Sequence, residues 1–128
     1  MRGERFHGVS PYEARYGFAR AVRVGDVIHV AGTAPVPAPG HDLEMGAGAQ
    51  MLRCAEIALE AIEGLGGHID DVVRTRMFIV DPVDADDIGA AHAEVFGDAE
   101  PAATMVVVAG LLDPLWLVEI EVEAIVRE

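Results

Sequence analysis

Near its C-terminus the chain reads Leu117-Val118-Glu119-Ile120-Glu121-Val122-Glu123-Ala124-Ile125-Val126. Apolar and acidic residues alternate along this segment, and alternation with a period of two predicts a β-strand that has two different faces. Every second residue, from Val118 to Val126, is apolar and forms the core-facing side. Three glutamates, Glu119, Glu121 and Glu123, form the other side. Because like charges in one row repel, this face is either solvated or lies beside arginines, a second subunit or a ligand.

The composition limits the class of protein. With 128 residues, of which 52% are hydrophobic, residues 1–128 are predicted to form one domain with its own core. No apolar run is long enough to span a membrane and no signal peptide is recognisable, so we expect a cytoplasmic protein. The net charge is −13 and all nine cationic residues are arginine. This balance disfavours a nucleic-acid partner, and the absence of lysine excludes Schiff-base chemistry and a phosphate-binding P-loop.

The remaining elements follow from hydrophobic periodicity and turn residues. Residues 1–15 have no clear period and are interpreted as an irregular arm. Strands are predicted at 20–24, 27–33, 72–80 and 104–108, and helices at 48–65 and from about residue 84 to 96. The order is ββαβαββ, which is typical of an α+β fold with a single sheet and two helices on one face. Gly32, inside a predicted strand, indicates a bulge or a close backbone approach.

Strand parity predicts what lies on the uncovered face of this sheet. Arg74, Arg76 and Phe78 share it with the three glutamates, so the same parity places Val73 and Thr75 on the covered face. A face that mixes apolar and charge-paired residues favours burial between subunits of a symmetric homo-oligomer. Arg74 and Arg76 have two interpretations: they bind a ligand, or they only neutralise the glutamates.

Four blocks in this order and spacing resemble the RidA/YjgF (Rid, reactive intermediate deaminase) family. They are Ala21-Val22-Arg23-Val24-Gly25, Val30-Ala31-Gly32-Thr33-Ala34-Pro35, Asp70-Asp71-Val72-Val73-Arg74-Thr75 and Val118-Glu119-Ile120-Glu121-Val122-Glu123-Ala124. The resemblance implies a chorismate-mutase-like subunit, a homotrimer, and clefts between subunits that take a small molecule. It also implies hydrolysis of enamines and imines to 2-keto acids and ammonia, without a cofactor.

The resemblance also points to site residues. Active members hold the substrate carboxylate with an arginine in a Pro-Ala-Arg-Ser motif, which this chain reads as Pro101-Ala102-Ala103-Thr104. Ala103 therefore stands where that arginine belongs and offers no donor. The candidate catalytic residue is Glu121. The candidate substrate-binding residues are Phe18, Ala31, Gly32, Arg76, His92, Ala103 and Thr104.

Two of these residues are singled out by chemistry as well. Arg76 is the best replacement for the missing arginine, because it shares a face with Glu121, and Arg20 is a second possibility. His92 borders the apolar stripe of the second predicted helix, where it acts as an acid or base near neutral pH or is simply a hydrogen-bonded edge residue. The other histidines lack metal-ligand spacing, so we predict no metal.

Three functions are compatible with this sequence. The first is a hydrolase or deaminase that acts on imines or related small carbonyl compounds. The second is a module that binds a small metabolite without turnover, which the replacement by Ala103 favours for carboxylate ligands. The third is the endoribonuclease L-PSP activity with which the family is labelled, which the acidic charge balance disfavours.

Overall fold

The computed structural model describes residues 2–127. Within them the chain forms one sheet and two long helices. The strands are β1 (Glu4–Phe6), β2 (Ala21–Val24), β3 (Val27–Thr33), β4 (Val72–Ile79), β5 (Ala102–Val107) and β6 (Val118–Ile125). The helices are α1 (Tyr12–Tyr16), α2 (Ala47–Gly64) and α3 (Ala85–Phe96), with short 3-10 turns at Ile69–Asp71 and Pro82–Asp84.

The sheet order is β1-β2-β3-β6-β4-β5. Neighbouring strands are antiparallel except β4 and β5, which are parallel and are connected through α3. The helices α2 and α3 pack on one face of the sheet and on each other. The predicted α+β fold with a single sheet is therefore confirmed.

The N-terminal arm differs from the prediction. Residues 1–15 were expected to be irregular, but the described part contains β1, which pairs with β2, and the beginning of α1. Three strand residues are too few to show alternation, and a five-residue helix is too short to show a helical period. The helix α1 ends at Gly17, whose φ of 76° is left-handed and suits glycine.

The last strand behaves as its sequence predicts. Val118, Ile120, Val122 and Ala124 are completely buried beneath the helices. One prediction for β4 was wrong: Val73 was expected on the covered face with Thr75, but it is 41% exposed. The pairing of β4 with β6 shifts register between Val72 and Arg74, and this irregularity gives Val72 the buried position instead.

A buried glutamine fixes the loop before β6. Gln50 on α2 is fully buried, and its Nε2 donates hydrogen bonds to the carbonyl oxygens of Glu44 and Leu115. Its Oε1 accepts a hydrogen bond of 2.7 Å from the backbone N–H of Leu117. Both ends of the amide are satisfied, as a buried polar group requires. The bonds hold the neighbouring Trp116, which is 7% exposed, in a defined place beside β6.

Candidate functional site

A recess of about 460 Å³ opens between α1, the bulged end of β3 and the loop that precedes β6. Four aromatic side chains line it, namely Tyr12, Tyr16, Phe18 and Trp116. Ala31, Gly32, Glu119 and Glu121 also line it and come from the two paired strands. We call this space the aromatic recess. It combines apolar walls with two carboxylates, which is the usual make-up of a small-molecule site.

The aromatic walls are ordered by their own contacts. The rings of Tyr12 and Tyr16 stack with centroids 5.4 Å apart, and the Tyr12 ring meets Trp116 edge-on at 6.0 Å. The guanidinium of Arg15 lies 5.4 Å from the Tyr12 centroid and 5.3 Å from that of Tyr16. These distances are in the range of favourable aromatic and cation–π contacts. The short helix α1 is thus tied to the loop before β6, which closes one side of the recess.

Arg20 is a structural anchor. It is 3% exposed, and its Nε donates to Glu13 Oε2 at 3.3 Å. Its Nη1 donates to the carbonyl oxygen of Gly32 at 2.6 Å and to Thr33 Oγ1 at 3.1 Å. The guanidinium also lies 5.4 Å from the centroid of the Phe18 ring. Since its charge is paired with the buried Glu13 carboxylate, this arginine joins the N-terminal arm to β3.

Gly32 permits the closest approach in the recess. The pairing of β3 with β6 shifts register between Val30 and Thr33, and Gly32 lies within that shift. A methyl group added at Gly32 would lie 2.6 Å from Glu119 Oε2, well inside van der Waals contact. Both predicted features, the bulge and the close approach, are therefore confirmed. The glycine leaves room for the Glu119 carboxylate to rest against the β3 backbone.

Glu119 is the functional candidate that the sequence did not single out. Burial raises its pKa above the ordinary value of 4.5; Arg20 opposes the rise, and the charge of Glu121 adds to it. A half-buried carboxyl with a raised pKa in a recess is a functional-site candidate. In the sequence it is one of three equivalent glutamates. The available signal was Gly32, because a strand glycine marks where a neighbouring group comes close.

Arg76 is engaged with the glutamates. Its Nη1 donates to Glu123 Oε1 at 2.7 Å and lies 3.7 Å from Glu121 Oε1. The hydrogen bond from Arg76 lowers the pKa of Glu123. The three side chains line a smaller recess of about 310 Å³ that adjoins the aromatic recess through Ala31 and Glu121. Within this chain, the contacts of Arg76 therefore agree with the interpretation in which it neutralises the glutamates.

The other predicted residues lie on the far side of β6. His92 on α3 and Thr75 on β4 share a hydrogen bond of 2.8 Å between Nε2 and Oγ1. Burial lowers the pKa of His92 below 6.5. Ala103 pairs with Thr75 in register, and Thr104 Oγ1 accepts a hydrogen bond from Arg74 Nη2 at 2.7 Å. His92, Ala103 and Thr104 form none of the walls of the aromatic recess in this chain.

Two further features of the described part of the chain bear on function. Within residues 2–127, no helix is both long and apolar enough to cross a membrane. In the same residues, no group of three or more histidine, cysteine, aspartate or glutamate side chains is arranged to hold a metal ion.

Comparison with known proteins places the chain in a family. The family model described as Endoribonuclease L-PSP matches residues 9–126. The chain is 40% identical over 123 residues to the uncharacterized protein SCO2049 of Streptomyces coelicolor, covering 94% of this chain and 90% of that protein. It is 31% identical over 109 residues to the RutC family protein PYRAB12510 of Pyrococcus abyssi, covering 84% of each.

Solved structures agree with this assignment. Rv2704 from Mycobacterium tuberculosis, a member of the YjgF/YER057c/UK114 family, superposes with a TM-score of 0.88 at 33% identity, over 96% of this chain and 98% of that one. RidA from the Antarctic bacterium Psychrobacter sp. PAMC 21119 shares the fold with a TM-score of 0.82 at 22% identity, over 98% of this chain and 99% of that one. The chain therefore belongs to the RidA/YjgF family, whose family model bears the description Endoribonuclease L-PSP.

Proposed function

We propose that this chain forms a homotrimer and binds a small metabolite in clefts between subunits, with hydrolysis of an imine as the candidate reaction. One observation carries the proposal. Four residues that the resemblance placed in the cleft, Phe18, Ala31, Gly32 and Glu121, line a single recess. A concave space with apolar walls and a few convergent polar groups is the usual make-up of a small-molecule site.

The predicted site residues form two separate groups within one chain, and this separation supports assembly of several subunits. Phe18, Ala31 and Gly32 belong to the aromatic recess, whereas Ala103 lies on β5 and His92 lies on α3 beside β4. In a closed ring of identical subunits, the β5 side of one copy meets the recess side of the next, which unites the two groups. The exposed edge strand β5, with Val106 at 41% and Val107 at 55% exposure, suits such a contact.

Glu121 has the chemistry for the candidate reaction. Its carboxylate accepts a proton from a water molecule while the water oxygen bonds to the imine carbon. That proton passes to nitrogen and gives a carbinolamine. The carboxylate then takes the proton of the new hydroxyl group and passes it to the amine, the carbon–nitrogen bond breaks, and the products are a carbonyl compound and ammonia. The aromatic side chains supply apolar walls beside Glu121, and Arg76 at 3.7 Å keeps Glu121 beside a cation. No cofactor is needed for this sequence of steps.

A second candidate is metabolite binding without turnover. It is favoured by Ala103, which stands where the resemblance places the carboxylate-binding arginine and has no hydrogen-bond donor. This second candidate predicts weak or absent hydrolysis of 2-imino acids. Ribonuclease activity is a less favoured candidate, because a net charge of −13 repels a phosphate backbone.

Imine hydrolysis can be tested by competition. An amino-acid oxidase generates a 2-imino acid, semicarbazide traps it, and the protein is added to compete with the trap. The comparison includes Glu121→Gln and, as a matched control, Glu60→Gln on the exposed side of α2. Competition by the wild type and Glu60→Gln but not by Glu121→Gln supports the catalytic role. Equal trapping with and without the wild type, across several amino acids, rejects hydrolysis of 2-imino acids.

A further inference from the structure

We propose that the aromatic recess selects an organic cation, an ammonium or iminium group on a small carbon skeleton that carries no carboxylate. The inference rests on the proposed function, which places the ligand in this recess. It adds the chemical class of that ligand. Three independent features of the recess support it: the aromatic walls, the unpaired carboxylate, and the engagement of the nearby arginines.

The aromatic walls suit a cation. Tyr12, Tyr16, Phe18 and Trp116 all line the same space. Cations bind favourably over the faces of such rings, and clusters of aromatic side chains recognise ammonium groups. This chain already shows the preference, because the guanidinium groups of Arg15 and Arg20 lie 5.3 to 5.4 Å from three of these rings.

The carboxylates suit a cation as well. Glu119 lies against Gly32 and is half-buried, and it takes part in none of the ion pairs of the described chain. Glu121, two residues along the same strand face, lies 3.7 Å from Arg76 Nη1. A desolvated carboxylate without an ionic partner gains most from a ligand that supplies a positive charge and an N–H donor.

The arginines around the recess are occupied. Arg20 donates to Glu13, to the carbonyl oxygen of Gly32 and to Thr33, as described above. Arg74 donates to Thr104, and Arg76 donates to Glu123. A ligand carboxylate in the recess would therefore meet Glu119 and Glu121 at close range, while each of these three guanidinium groups is already bonded to a group of this chain. Repulsion between these like charges lowers the affinity for a ligand that carries a carboxylate.

Binding of three molecules of matched size tests the inference. Calorimetric titrations compare 2-phenylethylammonium, 2-phenylethanol and phenylacetate, which share a ring and differ in the charge of the head group. We expect the ammonium to bind about tenfold more tightly than the alcohol, as one charge-assisted contact predicts. We expect phenylacetate to bind more weakly than either. Equal affinity for all three, preference for phenylacetate, or no binding of the ammonium would overturn the inference.

Two variants locate the binding site. Glu119→Gln keeps the size of the side chain and removes its charge, so the affinity for the ammonium should fall about tenfold while that for the alcohol changes little. Tyr16→Leu, at a position that is 57% exposed, keeps an apolar side chain without a ring face and should lower ammonium affinity about threefold. Glu60→Gln should leave both affinities unchanged. Unaltered ammonium binding in both recess variants would place the ligand elsewhere and overturn the inference.

A second assay separates this inference from the proposed reaction. A flavin amine oxidase supplies the carboxylate-free imine of phenylethylamine, and an amino-acid oxidase supplies the 2-imino acid of phenylalanine, each with semicarbazide as the trap. Ammonium binding with no competition in either assay supports the inference and rejects the hydrolase. Competition only for the 2-imino acid, without ammonium binding, supports the hydrolase and overturns the inference. Faster competition for the carboxylate-free imine supports both.

Discussion

The two faces of strand β6 are built from alternate residues of the same segment, yet they differ in kind. On the covered face, Val118, Ile120 and Val122 are completely buried and contribute through the area they remove from water. On the open face, Glu119 and Glu123 belong to the same residue type and are both half-buried. Their pKa values nevertheless move in opposite directions.

The difference shows where function can reside in this fold. On the covered face any apolar side chain of suitable volume satisfies the packing, so identity matters less than size. On the open face each glutamate depends on its neighbour: Glu123 has Arg76, whereas Glu119 has the backbone of Gly32 and the aromatic recess. Identical residues acquire different chemistry because the neighbouring strand differs.

The largest effect is expected from Arg20, which carries a buried charge at the edge of the open face. Arg20→Met removes the partner of Glu13, a carboxylate that is 4% exposed, and should lower the free energy of unfolding by about 3 to 5 kcal/mol. Chemical denaturation at one fixed protein concentration measures this, since subunit association also contributes to stability. Adding Glu13→Gln to the same chain should restore part of the loss. A loss below about 1 kcal/mol for Arg20→Met would show that the pair is not structural.

The next effect contrasts the two faces directly. Ile120→Ala opens a cavity under α2 and should cost about 2 to 5 kcal/mol of unfolding free energy. Glu121→Gln, at the adjacent position on the open face, should change the same quantity by about 0.5 kcal/mol or less. Equal costs at the two positions would contradict the division between a packing face and a ligand face.

The sequence predicted the covered face of β6 more completely than the open face. The alternation in β6 and the period of α2 predict the covered face and hence the fold. The partners on the open face depend on how β3, β6 and β4 pair with one another, which no local pattern specifies, although Gly32 did indicate the irregularity in β3. The sequence therefore did not distinguish Glu119 from the other two glutamates of β6. The irregularity in β4 leaves Val73 exposed, although it was predicted on the covered face. The aromatic recess also needs α1, which is too short to leave a periodic signal.

The pH dependence of stability sharpens the comparison within the open face. Folding raises the pKa of Glu119, so the wild type loses stability as the pH rises from the ordinary value of 4.5 through the raised pKa. Folding lowers the pKa of Glu123, so the stability from its bond to Arg76 is present above 4.5 and is lost as the pH falls through the lowered pKa. Relative to the wild type, Glu119→Gln should gain stability with rising pH, whereas Glu123→Gln should gain with falling pH.

Chemical denaturation at a series of pH values, from about 3 to about 7, measures both trends. Wild type, Glu119→Gln and Glu123→Gln are compared at each pH. Parallel trends for the two variants would contradict the assignment of different environments to these carboxylates.

The smallest expected effect is a shift in the titration midpoint of His92, which lies beside the covered face. Because burial lowers its pKa, the ring should be neutral at pH 7 and its NMR titration midpoint should lie below 6.5. A neutral Nε2 can accept the hydrogen bond from the Thr75 hydroxyl, which is completely buried. A midpoint at or above 6.5 would contradict the lowering of the pKa by burial.

The central claim is that other copies of this chain cover the open face and complete the cleft. The most direct measurement is the molar mass in solution by light scattering at micromolar concentration. The proposal predicts three times the 13.6 kDa of one chain. A mass of a single chain at that concentration would contradict it, because the residues around Glu121 and those around Ala103 would then remain apart on opposite sides of β6.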